Sequence, residues 1–263
     1  MQEQKFKIGQ SKIKVFSFFE EATKENFVGG VTNKIKSQNL DIWRDEKVLK
    51  NFLLYKLTNK LSRVIDFDEC VDVIKSTLEK VDEYLEDELL VYIFPTDSDF
   101  VKDKMLGSSG YCIHKNIIYV DIHPLANWQE ALPDTIIHEL AHAVSDYYDM
   151  FSLSIGKGFI FDGLAEQFRE FILGEDKIGL TKTIDQEKAL QLFEELKNKL
   201  DDNSFQTYGE VFFGSGKYPN WTGYAIGYNI IKKYLDENPN VDWNELLRKD
   251  PAEILNLIKD QFA

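Results

Sequence analysis

The amino-acid sequence predicts an α+β protein with a small mixed or antiparallel sheet. In the first half, short alternating or continuous apolar segments recur, as strands require. In the second half, apolar residues instead recur every three or four positions, as amphipathic helices require. With 263 residues and 43% hydrophobic content, the chain can bury a sizeable core. We expect one compact unit made of a mixed α/β part with an edge strand, residues 1–133, and a helical part, residues 134–263.

The strands are expected in three places. Residues 5–16 alternate charged and apolar side chains around Gly9, which predicts a short hairpin or two edge strands. Residues 89–94 form a continuous apolar run that is typical of a buried strand. Residues 111–113 and 117–122 flank a short polar connection and predict a second hairpin. The sequence leaves open whether residues 117–122 form an edge strand that pairs with an extended substrate or an interior strand.

Helices are predicted where apolar residues recur at a helical spacing. The first part contains two such segments, near residues 41–61 and 68–86, whereas the polar stretch 96–104 is expected to be a loop. In the second part we expect helices near residues 134–148, 159–173, 185–200, 222–236, 243–249 and 250–262. The helix that starts at residue 134 is therefore expected to join the two parts.

The charge balance excludes several common functions. Lys and Arg number 31 against 45 Asp and Glu, which gives a net charge of −14. Such a field repels phosphates and anionic lipids, so we expect neither nucleic-acid binding nor membrane docking. Two cysteines, Cys70 and Cys112, are too few for a disulfide framework and fit a reducing compartment. Without a signal-like or membrane-spanning apolar run, the sequence predicts a soluble cytoplasmic protein.

The segment His138-Glu139-Leu140-Ala141-His142 contains side chains that can bind a metal ion and transfer a proton. At 3.6 residues per turn, His138 and His142 project from one helix face, so their imidazoles can meet on one metal ion. Glu139 lies one residue round from His138, where it can act on a water without ligating the metal. Random placement of this chain's histidines and acids would give the pattern about 0.01 times. The spacing therefore indicates a zinc site.

A hydrolytic zinc site needs a third protein ligand and one position open to water. Asp162 and Glu166 are four residues apart in a predicted helix, so both project from the same side of it. The stretch between the two predicted helices is long enough for the second to turn back alongside the first. Either carboxylate is therefore a candidate ligand.

The two segments together resemble the gluzincin metallopeptidases, which place a ligand acid on a second helix, often within Glu-Gly-(Leu/Phe)-Ala. Asp162 follows His142 by 20 residues, as in the thermolysin-like arrangement, although the expected glutamate is an aspartate here. The resemblance implies that Asp162 is the third ligand and that Glu166 holds a histidine N–H. Because the aspartate arm is shorter, Glu166 is the alternative ligand.

A closer resemblance is to a bacterial family of unknown function described as predicted Zn-dependent proteases. It covers about residues 85–235. The shared segments are the histidine helix, Gly-Ser-Ser-Gly-Tyr at 107–111, Gly-Leu-Ala-Glu at 163–166 and Gly-Tyr-Ala-Ile-Gly-Tyr at 223–228. The resemblance implies a zinc metallopeptidase with one Zn²⁺ per chain that acts on peptide or protein substrates.

A role for each residue follows from these expectations. Glu139 is the general base toward a zinc-activated water. The oxyanion needs a further donor, for which Tyr224 comes first and Tyr228 second, with His114 and His123 as alternatives. Two rival functions share the same residues: a zinc hydrolase of a non-peptide amide, and a catalytically idle zinc-binding regulatory module. The intact Glu139 argues against the idle module.

Overall fold

The computed structural model describes residues 2–19, 32–33, 65–150, 152–174 and 179–261. The chain forms two compact units, Met1–Ile136 and Ile137–Ala263. Within the described residues, the first unit contains a sheet and the second is helical, which confirms the predicted α+β class. The helix predicted near residues 41–61 lies outside the described residues.

The first unit is built on a mixed five-stranded sheet. Its strands are β1 (Gln2–Ile8), β2 (Ser11–Ser17), β3 (Glu88–Pro95), β4 (Ser108–His114) and β5 (Ile117–Ile122). They lie in the order β1-β2-β3-β5-β4, in which β1/β2 and β4/β5 are antiparallel hairpins and β3 runs parallel to both of its neighbours. Both predicted hairpins are confirmed. Gly9 turns the first one with φ +55°, a conformation that favours glycine.

Strand β5 lies in the interior of the sheet. It pairs with β3 through Leu90–Ile117 to Pro95–Ile122 on one side and with β4 on the other. All six of its residues are buried, and a continuous apolar run suits a strand covered on both faces. Residues 117–122 therefore form an interior strand and not an edge strand. Within the described sheet the edge strands are β1 and β4.

The helix predicted near residues 68–86 is shorter than the sequence predicts. Helix α1 spans Phe67–Leu78, whereas the apolar periodicity extends over residues 68–86. The hydroxyls of Ser76 and Thr77 both donate to the carbonyl of Val73, and such bonds compete with continuation of the helix. The apolar residues beyond this point belong to a turn of 3₁₀-helix and its flanks.

A short helix interrupts the stretch 96–104, so the predicted loop is wrong there. This helix, α2 (Asp99–Lys104), follows Ser98, whose hydroxyl accepts a hydrogen bond from the backbone N–H of Val101. Six residues are too few for an apolar periodicity to appear in the sequence.

Helix α3 (Trp128–Ala143) begins in the first unit and ends in the second. The sequence predicts a helix over residues 134–148, starting after Pro133. The structure instead begins the helix at Trp128 and contains Pro133 inside it, where the proline costs the helix one backbone donor. The helix carries the whole His-Glu-Leu-Ala-His segment, as predicted.

The second unit is helical over its described residues. Its remaining helices are α4 (Ile155–Leu173), α5 (Gln186–Leu196), α6 (Phe205–Phe212), α7 (Thr222–Glu237), α8 (Trp243–Leu247) and α9 (Pro251–Gln261). Five of these match predicted helices with shifted ends, whereas α6 has no counterpart in the prediction. Among the described residues, no helix combines the length and the apolar character that crossing a membrane requires.

Helices α4 and α7 approach each other backbone to backbone. A Cβ atom added to Gly163 would overlap the carbonyl oxygen of Gly227, and one added to Gly227 would overlap the carbonyl oxygen of Phe159. Only glycine permits this approach, which fixes the position of α4 within the second unit. Gly163 immediately follows Asp162, so the contact between the helices lies beside this candidate ligand.

Candidate metal centre

Three donor atoms converge in the second unit, two from α3 and one from α4. The Nε2 atoms of His138 and His142 lie 3.2 Å apart. Oδ1 of Asp162 lies 3.6 Å from Nε2 of His138 and 3.5 Å from Nε2 of His142. The residues fold this way because the histidines are one turn apart on α3 and the carboxylate comes from a second helix of the same unit.

These distances suit a zinc ion. Zinc bonds to imidazole nitrogen and carboxylate oxygen measure about 2.0–2.2 Å, so tetrahedral ligand atoms lie roughly 3.3–3.6 Å from one another. The observed separations of 3.2–3.6 Å lie within about 0.1 Å of that range. Two imidazoles and one carboxylate are also the ligand set of many catalytic zinc sites. The residues present therefore fit the ion.

Glu166 contacts the opposite side of the His138 ring. Its Oε1 lies 2.9 Å from Nδ1 of His138, and its side chain is 2% exposed. We assign the proton to Nδ1, because an ionised carboxylate can only accept a hydrogen bond. When the ring is neutral, as a metal ligand must be, this tautomer directs the lone pair of Nε2 toward His142 and Asp162. The structure thus places Asp162 with the Nε2 pair and Glu166 with Nδ1.

The acids around His138 create a site that attracts positive charge. Burial disfavours the imidazolium, but hydrogen bonds to Asp162 and Glu166 and the charge of Glu139 outweigh it, so the pKa of His138 lies well above its usual value. Burial likewise opposes ionisation of Asp162, but its contacts with His138 and His142 hold its pKa below the usual value. The same field would favour a divalent cation.

Aromatic rings surround the two histidines. Tyr148 stacks on His142 with ring centroids 4.4 Å apart and an interplanar angle of 18°. The ring of Tyr224 lies 6.2 Å from that of His138. The hydroxyl of Tyr208 lies 3.4 Å from Oδ2 of Asp162, and burial followed by the charge of Asp162 raises the pKa of this phenol well above its usual value. These rings limit the directions in which the histidines can turn.

The other predicted residues lie in different surroundings. Glu139 is buried on α3. Tyr228 donates its hydroxyl to Oε2 of Glu170 at 2.7 Å, so that group is directed at another acid. Nδ1 of His123 accepts a hydrogen bond from a backbone N–H two residues on. The side chain of His114 lies outside the described part of the structure.

Sequence reasoning missed two residues that contact the centre. Tyr208 lies on α6, which carries Gly209 and was not predicted as a helix, so no pattern pointed to it. Tyr148 follows His142 by six residues, and that proximity in the chain was the one available signal. The contact of Tyr208 depends on how two helices pack, and that of Tyr148 on how the chain turns after α3 ends at Ala143.

The fold and the donor set define an α+β protein with a cluster of two histidines and one aspartate that could hold a metal ion. Residues 70–256 match the family described as "Predicted Zn-dependent protease (DUF2268)", and the chain belongs to that family. It is also similar to the uncharacterized protein YjfC of Bacillus subtilis (strain 168), with 27% identity over 171 residues. That match covers 59% of this chain and 57% of the relative, so it spans little more than half the length of either.

Proposed function

We propose that this chain is a gluzincin-like zinc metallopeptidase that hydrolyses peptide bonds in peptide or protein substrates. One zinc ion per chain is held by His138, His142 and Asp162. The observation that carries the proposal is the convergence of the three ligand atoms within 4.8 Å of one another. Membership of a family of that description supports zinc as the ion and a protease as the class of enzyme.

The general base is Glu139. It follows His138 directly in α3, so its side chain leaves the helix about 100° round from the first histidine. A bound zinc ion would polarise the scissile carbonyl and lower the pKa of water toward 7. Glu139 accepts a proton from the attacking water and delivers it to the leaving amine. Its burial excludes bulk water and strengthens its interaction with the reacting groups.

The donor to the developing oxyanion is Tyr224. Its ring packs beside His138, with the two ring centroids 6.2 Å apart. Phe212 packs edge-on against Tyr224 with centroids 5.7 Å apart, which restrains the ring. A donor of this kind is typically worth about 3 kcal/mol in the transition state.

Two measurements test the proposal together. Zinc should be retained at about one ion per chain, and the protein should cleave casein or members of an internally quenched peptide library. Glu139→Gln should retain zinc and lose at least about 100-fold in cleavage rate, because it removes the base and leaves the ligands. Glu130→Gln is the matched control, since Glu130 is exposed in the first turn of the same helix.

Other outcomes separate the rival functions. Undiminished cleavage in Glu139→Gln would contradict the general-base role. Zinc binding with hydrolysis of non-peptide amides alone would favour the amide hydrolase. Zinc binding without any hydrolysis in the wild type would favour the idle regulatory module.

A further inference from the structure

Arg169 is an arginine buried within α4, with only 2% of its side chain exposed. It is among the largest fully buried side chains of the described residues. Arginine is almost never buried so deeply unless its charge is paired, because removing it from water is costly. Its partners therefore indicate why it is there.

The guanidinium is held from two directions. Its Nε donates to Oε2 of Glu166 at 3.1 Å, and its Nη1 donates to the carbonyl of Gly174 at 3.1 Å. Glu166 is one turn earlier on the same helix, and Gly174 is the C-cap residue of that helix. The rigid fork of an arginine can serve both groups at once, which a lysine cannot do in the same geometry.

Glu166 connects Arg169 to the candidate metal centre. One carboxylate oxygen, Oε2, accepts from Arg169, and the other, Oε1, accepts from Nδ1 of His138 at 2.9 Å. Both side chains of the Arg169–Glu166 pair are 2% exposed, so little water competes for these bonds. The carboxylate is therefore fixed in one orientation, with one oxygen for each partner.

We propose that Arg169 is a positioning residue of the metal centre, a role that rests on the proposed zinc site. It holds Glu166 in the orientation that receives the Nδ1–H of His138, which keeps Nε2 directed at the metal. Arg169 touches neither the metal nor the substrate. Arg169 therefore affects zinc affinity only through the Glu166 carboxylate. An arginine with a purely structural role would stabilise the end of α4 and leave zinc affinity unchanged.

Arg248 provides a matched control for the structural role. Its Nη1 donates to the carbonyl of Asn244 at 3.1 Å, much as that of Arg169 does to Gly174. Arg248 therefore also binds a helix carbonyl, but it lies on a different helix end. A methionine at either position keeps most of the side-chain volume and removes the donors.

The experiment measures the zinc dissociation constant by competition with a chelator, together with thermal unfolding of each metal-free protein. Arg169→Met and Glu166→Gln should each raise the constant about 10- to 100-fold, as loss of a group supporting a ligand does. The double variant should be no worse than the more damaging single variant, because both changes break one chain of bonds. Arg169→Lys should lie between wild type and Arg169→Met, and Arg248→Met should stay within about twofold of wild type.

The absorption spectrum of the cobalt(II)-substituted protein gives a second readout. Arg169→Met should shift the ligand-field bands because the His138 ring is no longer held, whereas Arg248→Met should not. An unchanged zinc dissociation constant in folded Arg169→Met, or effects that multiply in the double variant, would overturn the proposal. If Arg169→Met does not fold, wild-type affinity in Arg169→Lys overturns it instead. A wild-type protein that does not bind zinc would overturn the proposed function itself.

Discussion

The hydroxyl of Tyr208 lies 3.4 Å from Oδ2 of Asp162, while Oδ1 of the same carboxylate faces both histidines. The two oxygens of Asp162 therefore have different partners. A donor on Oδ2 stabilises the negative charge and restrains rotation of the carboxylate about its own bond. This arrangement suits a carboxylate that binds a metal through one oxygen.

Tyr208→Phe tests this relationship. We expect the zinc dissociation constant to rise about fivefold, since a hydrogen bond contributes about 1 kcal/mol. The fold should be retained, because the ring keeps its stack on Phe212 with centroids 4.1 Å apart. Chelator competition gives the constant, and Tyr228→Phe, which removes the hydroxyl that donates to Glu170, is the control. Equal losses in the two variants would contradict the role of Tyr208.

Alanine substitutions should distinguish the two acids of α4. Asp162→Ala should abolish zinc retention, because it removes a ligand. Glu166→Ala should weaken binding about 10- to 100-fold, because it removes only the partner of His138 Nδ1. Metal content after dialysis against a weak chelator measures both, with Glu170→Ala as the control on the same helix. The reverse order of losses would make Glu166 the ligand.

Zinc binding should release a proton at neutral pH. The raised pKa of His138 means that the metal-free protein keeps this imidazole protonated above pH 6.5, whereas a zinc ligand must be neutral. Titration calorimetry in two buffers of different ionisation enthalpy should give different apparent enthalpies, corresponding to about one proton per zinc. Identical enthalpies in both buffers would contradict a protonated His138.

The same shift predicts the pH dependence of stability without metal. A group whose pKa is raised on folding stabilises the fold below its unfolded pKa and loses that contribution as the pH rises through its folded pKa. The melting temperature of the metal-free protein should therefore fall as the pH increases above 6.5 through the raised value. His138→Gln should flatten this part of the profile, and a profile as steep as that of the wild type would refute the assignment.

Gly163→Ala should destabilise the second unit by about 1–3 kcal/mol, because its Cβ would overlap the backbone of Gly227. Gly209→Ala is a control that should instead raise the free energy of unfolding. Its Cβ would meet only the Ser215 hydroxyl at 3.2 Å, and alanine in a helix is favoured over glycine by roughly 0.5–1 kcal/mol. Urea unfolding of both variants measures the contrast, and equal stabilities would show that α4 and α7 can separate freely.

The part of the site that lies within one helix could be predicted from the sequence. The spacing of His138, Glu139 and His142 determines their relative directions as soon as the segment is helical. The spacing of Asp162 and Glu166 likewise places both on one face of α4. Which carboxylate meets which ring nitrogen depends on how α3 and α4 pack, and no periodicity encodes that geometry.

The remaining differences have similar causes. Residues 117–122 read as a strand, but their position in the sheet depends on which strands pair. Tyr208 comes from a helix with a weak pattern and meets Asp162 only through packing. Arg169 was closer to being predictable, since an arginine three residues after Glu166 is a recognised ion-pair spacing on a helix.

The contact between Gly163 and Gly227 also offers a criterion for judging distant homologues. A chain with a bulkier amino acid at the first position must hold these helices farther apart. Its acid would then be displaced from the imidazole pair even if every ligand type were retained. The glycine beside the acid is thus a marker of an intact His/His/Asp cluster, and its replacement would indicate a homologue in which the cluster no longer converges.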